Sequence, residues 1–168
     1  MNFSTYKIKH PGLARFVQYI LFNYSGNANH TTVITSYANN NVCLGIVKEK
    51  ELANCSSGIK KFHFRRGVQS YISGLYSAPH HFQIEGVFDE ICIDFTPLGY
   101  YYFFKEPLKT YVLGENILYE FWGVDGAVFF ETIFDMADLK KRGPMIEQFL
   151  LSKLIAFENP FLQQCLHY

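Results

Sequence analysis

Apolar residues follow two different rhythms along this chain. Near the N-terminus, Leu13, Phe16, Val17, Ile20, Leu21 and Tyr24 fall at i, i+3, i+4, i+7, i+8 and i+11, the spacing of one helix face. Pro11 suits an early helical position, where a missing N–H costs little. The spacing therefore predicts an amphipathic N-terminal helix packed on whatever follows. From about residue 31 to 96 the rhythm shortens. Residues 32–37, 42–47, 59–65, 69–75, 82–87 and 90–95 are short runs with strand character. In the last of these, Ile91, Ile93 and Phe95 alternate with Cys92 and Asp94, which predicts a half-buried strand. Glu90 and Asp94 would then share a solvated outer face. Turn formers separate the runs: Asn39-Asn40-Asn41, Ser56-Ser57-Gly58, Gly67, Pro79 and Gly86.

Helical spacing returns after Phe95. Thr96-Pro97-Leu98-Gly99 leads into a short helical turn at 100–104. Asp125-Gly126 opens a helical segment reaching Met136. Arg142-Gly143-Pro144 begins a helix striped by Met145, Ile146, Phe149, Leu150 and Leu154. Asn159-Pro160 is a good N-cap and first-turn pair for one more helix, which has no capping residue before Tyr168. The expected class is α+β: a small antiparallel β-barrel or sandwich over about residues 31–96, with an N-terminal helix and a C-terminal group of helices packed against it. Residues 1–158 form one domain on this reading, and 159–168 begin a linker helix.

The composition suits a folded domain, with 49% hydrophobic and 18% charged residues. The 17 Phe and 12 Tyr are enough to fill a core or to line a cavity. Fifteen basic residues balance fifteen acidic ones, whereas a surface that neutralises several phosphates is normally basic. The densest basic stretch, Lys60, Lys61, Arg65 and Arg66, would alternate between the faces of a strand and reads as a charged strand edge. Direct nucleic-acid contact is not expected. Cys43, Cys55, Cys92 and Cys165 form no Cys-x-x-Cys pair, and Cys43 and Cys92 read as small core residues. No signal-peptide layout and no apolar run of ~20 residues is present, so a cytoplasmic protein without membrane contact is expected. The Asn-x-Ser/Thr matches at Asn2, Asn23, Asn29 and Asn54 then read as chance matches in an Asn-rich chain.

Several phrases, in order, resemble the N-terminal sensor domain of AraC-family (AraC/XylS-like) transcription regulators, in a version catalogued as a domain of unknown function. They are His10-Pro11-Gly12-Leu13-Ala14-Arg15-Phe16-Val17, Gly74 through His80-His81, and Phe95-Thr96-Pro97-Leu98-Gly99 running into Phe103-Phe104. Leu113, Trp122-Gly123 and Glu147-Gln148-Phe149-Leu150 follow. The resemblance covers residues 10–156. It implies a cupin-like barrel that senses a small-molecule effector or mediates homodimerisation, with 145–154 as a candidate apolar contact face. It also implies two helix-turn-helix motifs in a C-terminal DNA-binding domain beyond Tyr168.

For chemistry, the tempting constellation is Gly74, His80, His81 and Glu85, close to the first metal-binding phrase of cupins. Adjacent histidines point apart in a strand, and the second phrase, Pro97-x-Gly99-x-x, ends in Tyr102 where cupins carry His. No nucleophile elbow, phosphate loop or activated cysteine is visible. The expectation is a non-enzymatic module with no catalytic residue, metal or cofactor. Tyr71, Tyr76, His80 and His81 are the candidate ligand-binding residues at the barrel mouth. The alternatives are a stand-alone cupin-type metal-dependent isomerase or dioxygenase, with His63, His80 and Glu85 converging on an ion, and a structural dimerisation domain with a filled interior.

Overall fold

The two apolar rhythms resolve into one large sheet with helices against a single face. The computed structural model of the chain describes residues 1–37, 39–54, 59–104 and 117–155. The strands are β1 (Asn2–Lys7), β2 (Val17–Ser25), β3 (Thr31–Ser36), β4 (Asn39–Asn54), β5 (Ile59–Tyr76), β6 (His80–Glu85) and β7 (Phe88–Phe95). They form a 7-stranded sheet in the order β1-β2-β7-β4-β5-β6-β3. The sheet curls into a half-barrel, and the class is α+β. The helices are α1 (Pro11–Ala14), α2 (Ile117–Phe134), bent at Gly123, and α3 (Leu139–Lys153). A 3₁₀ turn at Gly99–Tyr102 matches the turn expected after Phe95. Among the described residues no helix is long and apolar enough to cross a membrane.

The N-terminal helix is a correction. Only Pro11–Ala14 is helical, and Val17–Ser25 is a strand between β1 and β7. Both faces of β2 are covered, so the apolar residues do not alternate and their spacing imitates a helix stripe. Val17, Tyr19, Ile20, Phe22 and Tyr24 are β-branched or aromatic, the types that pack well on a pleated surface. The sheet therefore starts at Asn2 rather than near residue 31.

It is also mixed rather than antiparallel, since β5 runs parallel to β6 where Ile59–Lys61 face His81–Gln83. The runs at 59–65 and 69–75 are one strand bent at Gly67, whose φ of 82° an L side chain rarely adopts. The β4–β5 register slips opposite that bend, between Lys48 and Lys50. Gly67 marks a bend within a strand, not a turn between strands. The basic stretch is no sheet edge either, because Lys60 and Lys61 are paired to β4 and β6 at once.

The main core lies between the sheet and the helices. Ile20, Leu44, Ile46, Ile91, Ile93 and Phe95 meet Leu118, Trp122, Phe130, Ile133, Ile146 and Leu150. The Ser70 hydroxyl fastens the start of α2 to β5 by accepting from the Leu118 amide at 2.7 Å. Helix α3 begins earlier than expected because Asp138 caps it, accepting from the Lys140 amide at 3.1 Å. A smaller cluster of Val47, Phe62, Phe82, Ile84 and Phe88 packs on the opposite, concave face of the sheet. The expected helix over 159–168 lies outside the described residues.

A cavity on the concave face of the sheet

Strand alternation decides which side chains of β7 meet which side of the molecule. Asp89, Ile91, Ile93 and Phe95 point toward the helices. Phe88, Glu90, Cys92 and Asp94 point into the curl of the sheet. Glu90 is 4% exposed and Asp94 6% exposed, so the expected solvated outer face is in fact an interior. The polar-apolar alternation is real, but helices cover one face and the curl of the sheet encloses the other.

The curl forms an open-mouthed cavity of about 230 Å³ to which all seven strands contribute. Its middle is set by Gly45, which lies opposite Tyr71 on β5 and opposite Cys92 on β7. A Cβ at Gly45 would stand 2.4 Å from the Tyr71 ring. The absence of a side chain thus lets that ring lie across β4, and its hydroxyl donates to Glu90 Oε1 at 2.5 Å. From the other side, Asn23 Nδ2 donates to Glu90 Oε2 at 2.5 Å. Glu90 is clamped between two donors.

The other end of the cavity follows from the register. Asp94 pairs with Tyr19 on β2 and with Cys43 on β4, and Cys43 pairs in turn with Ser73. These residues make a polar end. Phe62, Phe82, Ile84 and Ile34 make an apolar one. The Asp94 carboxylate accepts a hydrogen bond from the Cys43 thiol, a weak donor. Burial pushes the Asp94 carboxyl up to about 6 from 3.8. Burial also raises Glu90, against the lowering effect of its hydrogen bonds from Tyr71 and Asn23. The Tyr71 hydroxyl is pushed well up, first by burial and then by the charge of Glu90. The hydrogen bond with Cys43, and then burial, raise the Cys92 thiol well above its usual value. Among the described residues no Lys, Arg or His lines this cavity, and its two buried acids have no basic partner.

Of the residues expected to bind a ligand, Tyr71 alone is placed in the cavity. Tyr76 ends β5 opposite Asn39, and its side chain lies outside what the structure describes. His80 and His81 are on β6 but not among the lining residues; His81 Nδ1 shares a 3.0 Å hydrogen bond with the Thr35 hydroxyl. His80 and Glu85 fall on opposite faces of β6, so the set His63, His80 and Glu85 does not converge. Among the described residues, no group of three or more His, Cys, Asp and Glu side chains is placed to hold a metal ion. Asn23, Glu90 and Asp94 are the site residues that sequence reasoning missed. The signal available for Glu90 and Asp94 was two carboxylates at i and i+4 on a strand otherwise fit for burial.

A larger depression of about 690 Å³ opens on the far side of the β4–β5 bend. Most of its charged side chains are already engaged: Lys48 bridges to Asp135 at 2.7 Å, Arg142 holds Asp89 with two bonds of 2.8 and 3.0 Å, and Lys50 donates to the Glu85 carbonyl at 3.1 Å. The concave cavity is therefore the stronger candidate. No family model matches the chain, no curated protein matches it, and no solved structure matches it.

Proposed function

We propose that this chain is the effector-sensing module of a transcription regulator of the AraC type, built on a cupin-like barrel, with DNA binding carried by a separate C-terminal domain. One observation carries the sensing part: a cavity lined from every strand of the sheet, with two acids buried in its wall, of which Asp94 has neither a base nor a strong donor among the described residues. A domain needed only as a scaffold gains nothing from such groups, because burying an unpaired carboxylate costs several kcal/mol. Strongly perturbed titratable groups gathered in a cleft are the usual mark of a binding site. The regulator part rests on the ordered phrases between His10 and Ala156. It fits the even charge balance, which gives this segment no evident phosphate-binding face.

Self-association would use the outer face of α3, where Met145 and Phe149 join Phe129 around a shallow apolar surface. Ile146 and Leu150, from the same stripe, are spent on the core.

Two measurements test the proposal. The coding sequence beyond Tyr168 is expected to encode two helix-turn-helix motifs, and a frame without them overturns the regulator assignment. A thermal-shift screen of small molecules should find compounds that stabilise the chain, by about 2.7 kcal/mol at a hundred times the dissociation constant. A chain that no small molecule stabilises would argue for a filled, purely structural interior.

A further inference from the structure

We propose that the concave cavity takes a small organic monocation, with an ammonium or amidinium group seated against Asp94 and an aryl or short alkyl body resting on Tyr71, Phe62 and Phe82. The proposal rests on the sensing reading and adds the chemistry of the ligand.

The hydrogen-bond inventory of the cavity is lopsided. The hydroxyl of Tyr71 and the amide nitrogen of Asn23 are both committed to Glu90. Acceptors are left over. Asp94 is 6% exposed and receives only the Cys43 thiol, while Asn23 Oδ1 is buried with no partner among the described residues. A buried acceptor without a donor costs its full desolvation, and one in a cavity is repaired by a ligand that brings N–H groups. Among the described residues the lining carries two acids and no base, so the donor best suited to it also brings positive charge. An anionic ligand would meet like charge at Glu90 and Asp94, and a neutral one would leave the Asp94 charge uncompensated.

The two acids are not equivalent. Four residues apart on one strand, their Cα atoms are separated by about 13 Å. Glu90 is already satisfied at its own end, so a single cationic group belongs at Asp94. Around Asp94 the hydroxyls of Tyr19 and Ser73 line the same end and can accept the remaining N–H groups of an ammonium. The rings of Tyr71, Phe62 and Phe82 offer faces and edges to an apolar body, with a cation–π contribution where the charge lies over a ring. Size agrees as well. A cavity of ~150 Å³ is known to take benzene, and this one, at about 230 Å³, has room for one such ring and a charged head.

The test titrates the full chain at neutral pH with benzylammonium, benzyl alcohol and benzoate, following the backbone amides of β7. Benzylammonium is expected to shift the amides around Asp94, and to bind at least about tenfold more tightly than benzyl alcohol. Asp94→Asn should weaken benzylammonium by about tenfold or more, as expected on losing a charged hydrogen-bond partner, with benzyl alcohol unaffected. Asp135→Asn, a surface acid outside the cavity, should leave both unchanged. Thermal unfolding of each variant shows whether it is folded. If benzyl alcohol or benzoate binds as tightly as benzylammonium, or if Asp94→Asn leaves the preference intact, the cation assignment is overturned while the cavity stands as a ligand site. If none of the three perturbs β7, both the assignment and the sensing reading fall.

Discussion

Asp89 and Glu90 are neighbours in sequence and opposites in circumstance. Asp89 points to the helix side, where Arg142 grips it with two bonds and also donates to the Phe134 carbonyl at 2.9 Å. Glu147, on the same side, accepts from the Lys9 and His10 amides at 2.8 and 2.5 Å and from the Tyr6 hydroxyl. Glu90 and Asp94 point into the curl of the sheet and have no basic partner among the described residues. Asp89 and Glu147 are each tied to donors that fix one element against another, and these acids explain how the fold holds together. On the concave side Glu90 is also tied across strands, to Tyr71 on β5 and Asn23 on β2, but Asp94 has only the Cys43 thiol. The same residue type is structural at Asp89, Glu147 and Glu90 and available at Asp94.

The contrast breaks most visibly at Arg142. Arg142→Ala should cost about 3–5 kcal/mol in chemical denaturation, because it strands Asp89 without a counter-charge. A loss below 1 kcal/mol would show that this pair is not holding α3 to the sheet. Next in size is Gly45→Ala, which must push the Tyr71 ring off β4. It should cost about 1–3 kcal/mol and abolish ligand-induced shifts in the cavity, a joint effect that a remote packing change would not produce.

Asp94→Asn should act in the other direction. The folded chain holds the Asp94 proton up to about pH 6, whereas the unfolded chain releases it near 3.8. This residue therefore lowers stability as pH rises between those values, and the loss persists above them. Removing the charge should raise stability at neutral pH by about 1–3 kcal/mol and flatten that part of the profile. A destabilised Asp94→Asn chain would mean that the carboxylate is compensated after all.

The smallest effect is expected at Glu147. Burial alone would raise its carboxyl, but the bonds from Tyr6, His10 and Lys9 outweigh it and hold the group below its usual value. Its contribution is present above the ordinary glutamate range and is lost as pH falls below it. Glu147→Gln should cost about 1 kcal/mol at neutral pH and remove that acid limb. Opposite pH slopes for the two acids would sharpen the comparison; equal slopes would erase it.

Much of the sheet was legible in the chain because the β7 alternation, the apolar runs of β3, β4 and β6 and the helical stripe of α3 all state their period plainly. Strand β2 was not, because burial on both faces removes the alternation that distinguishes a strand from a helix. Tyr71 could be singled out as an amphipathic ring near turn residues. Glu90 and Asp94 could not be placed, because which face of β7 is enclosed depends on the curl of the sheet and on helices α2 and α3, which come from a separate stretch of the chain. Gly45 carried no local signal at all. Its meaning appears only through cross-strand register with Tyr71.

The most direct measurement is a carboxyl-carbon NMR titration of Asp94 with and without benzylammonium. In the ligand-free chain Asp94 should titrate near 6, and saturation with benzylammonium should lower that midpoint by about a unit or more. A midpoint near 3.8 in the free chain, or one that the cation leaves in place, would contradict the claim that this buried acid is held ready for a positively charged guest.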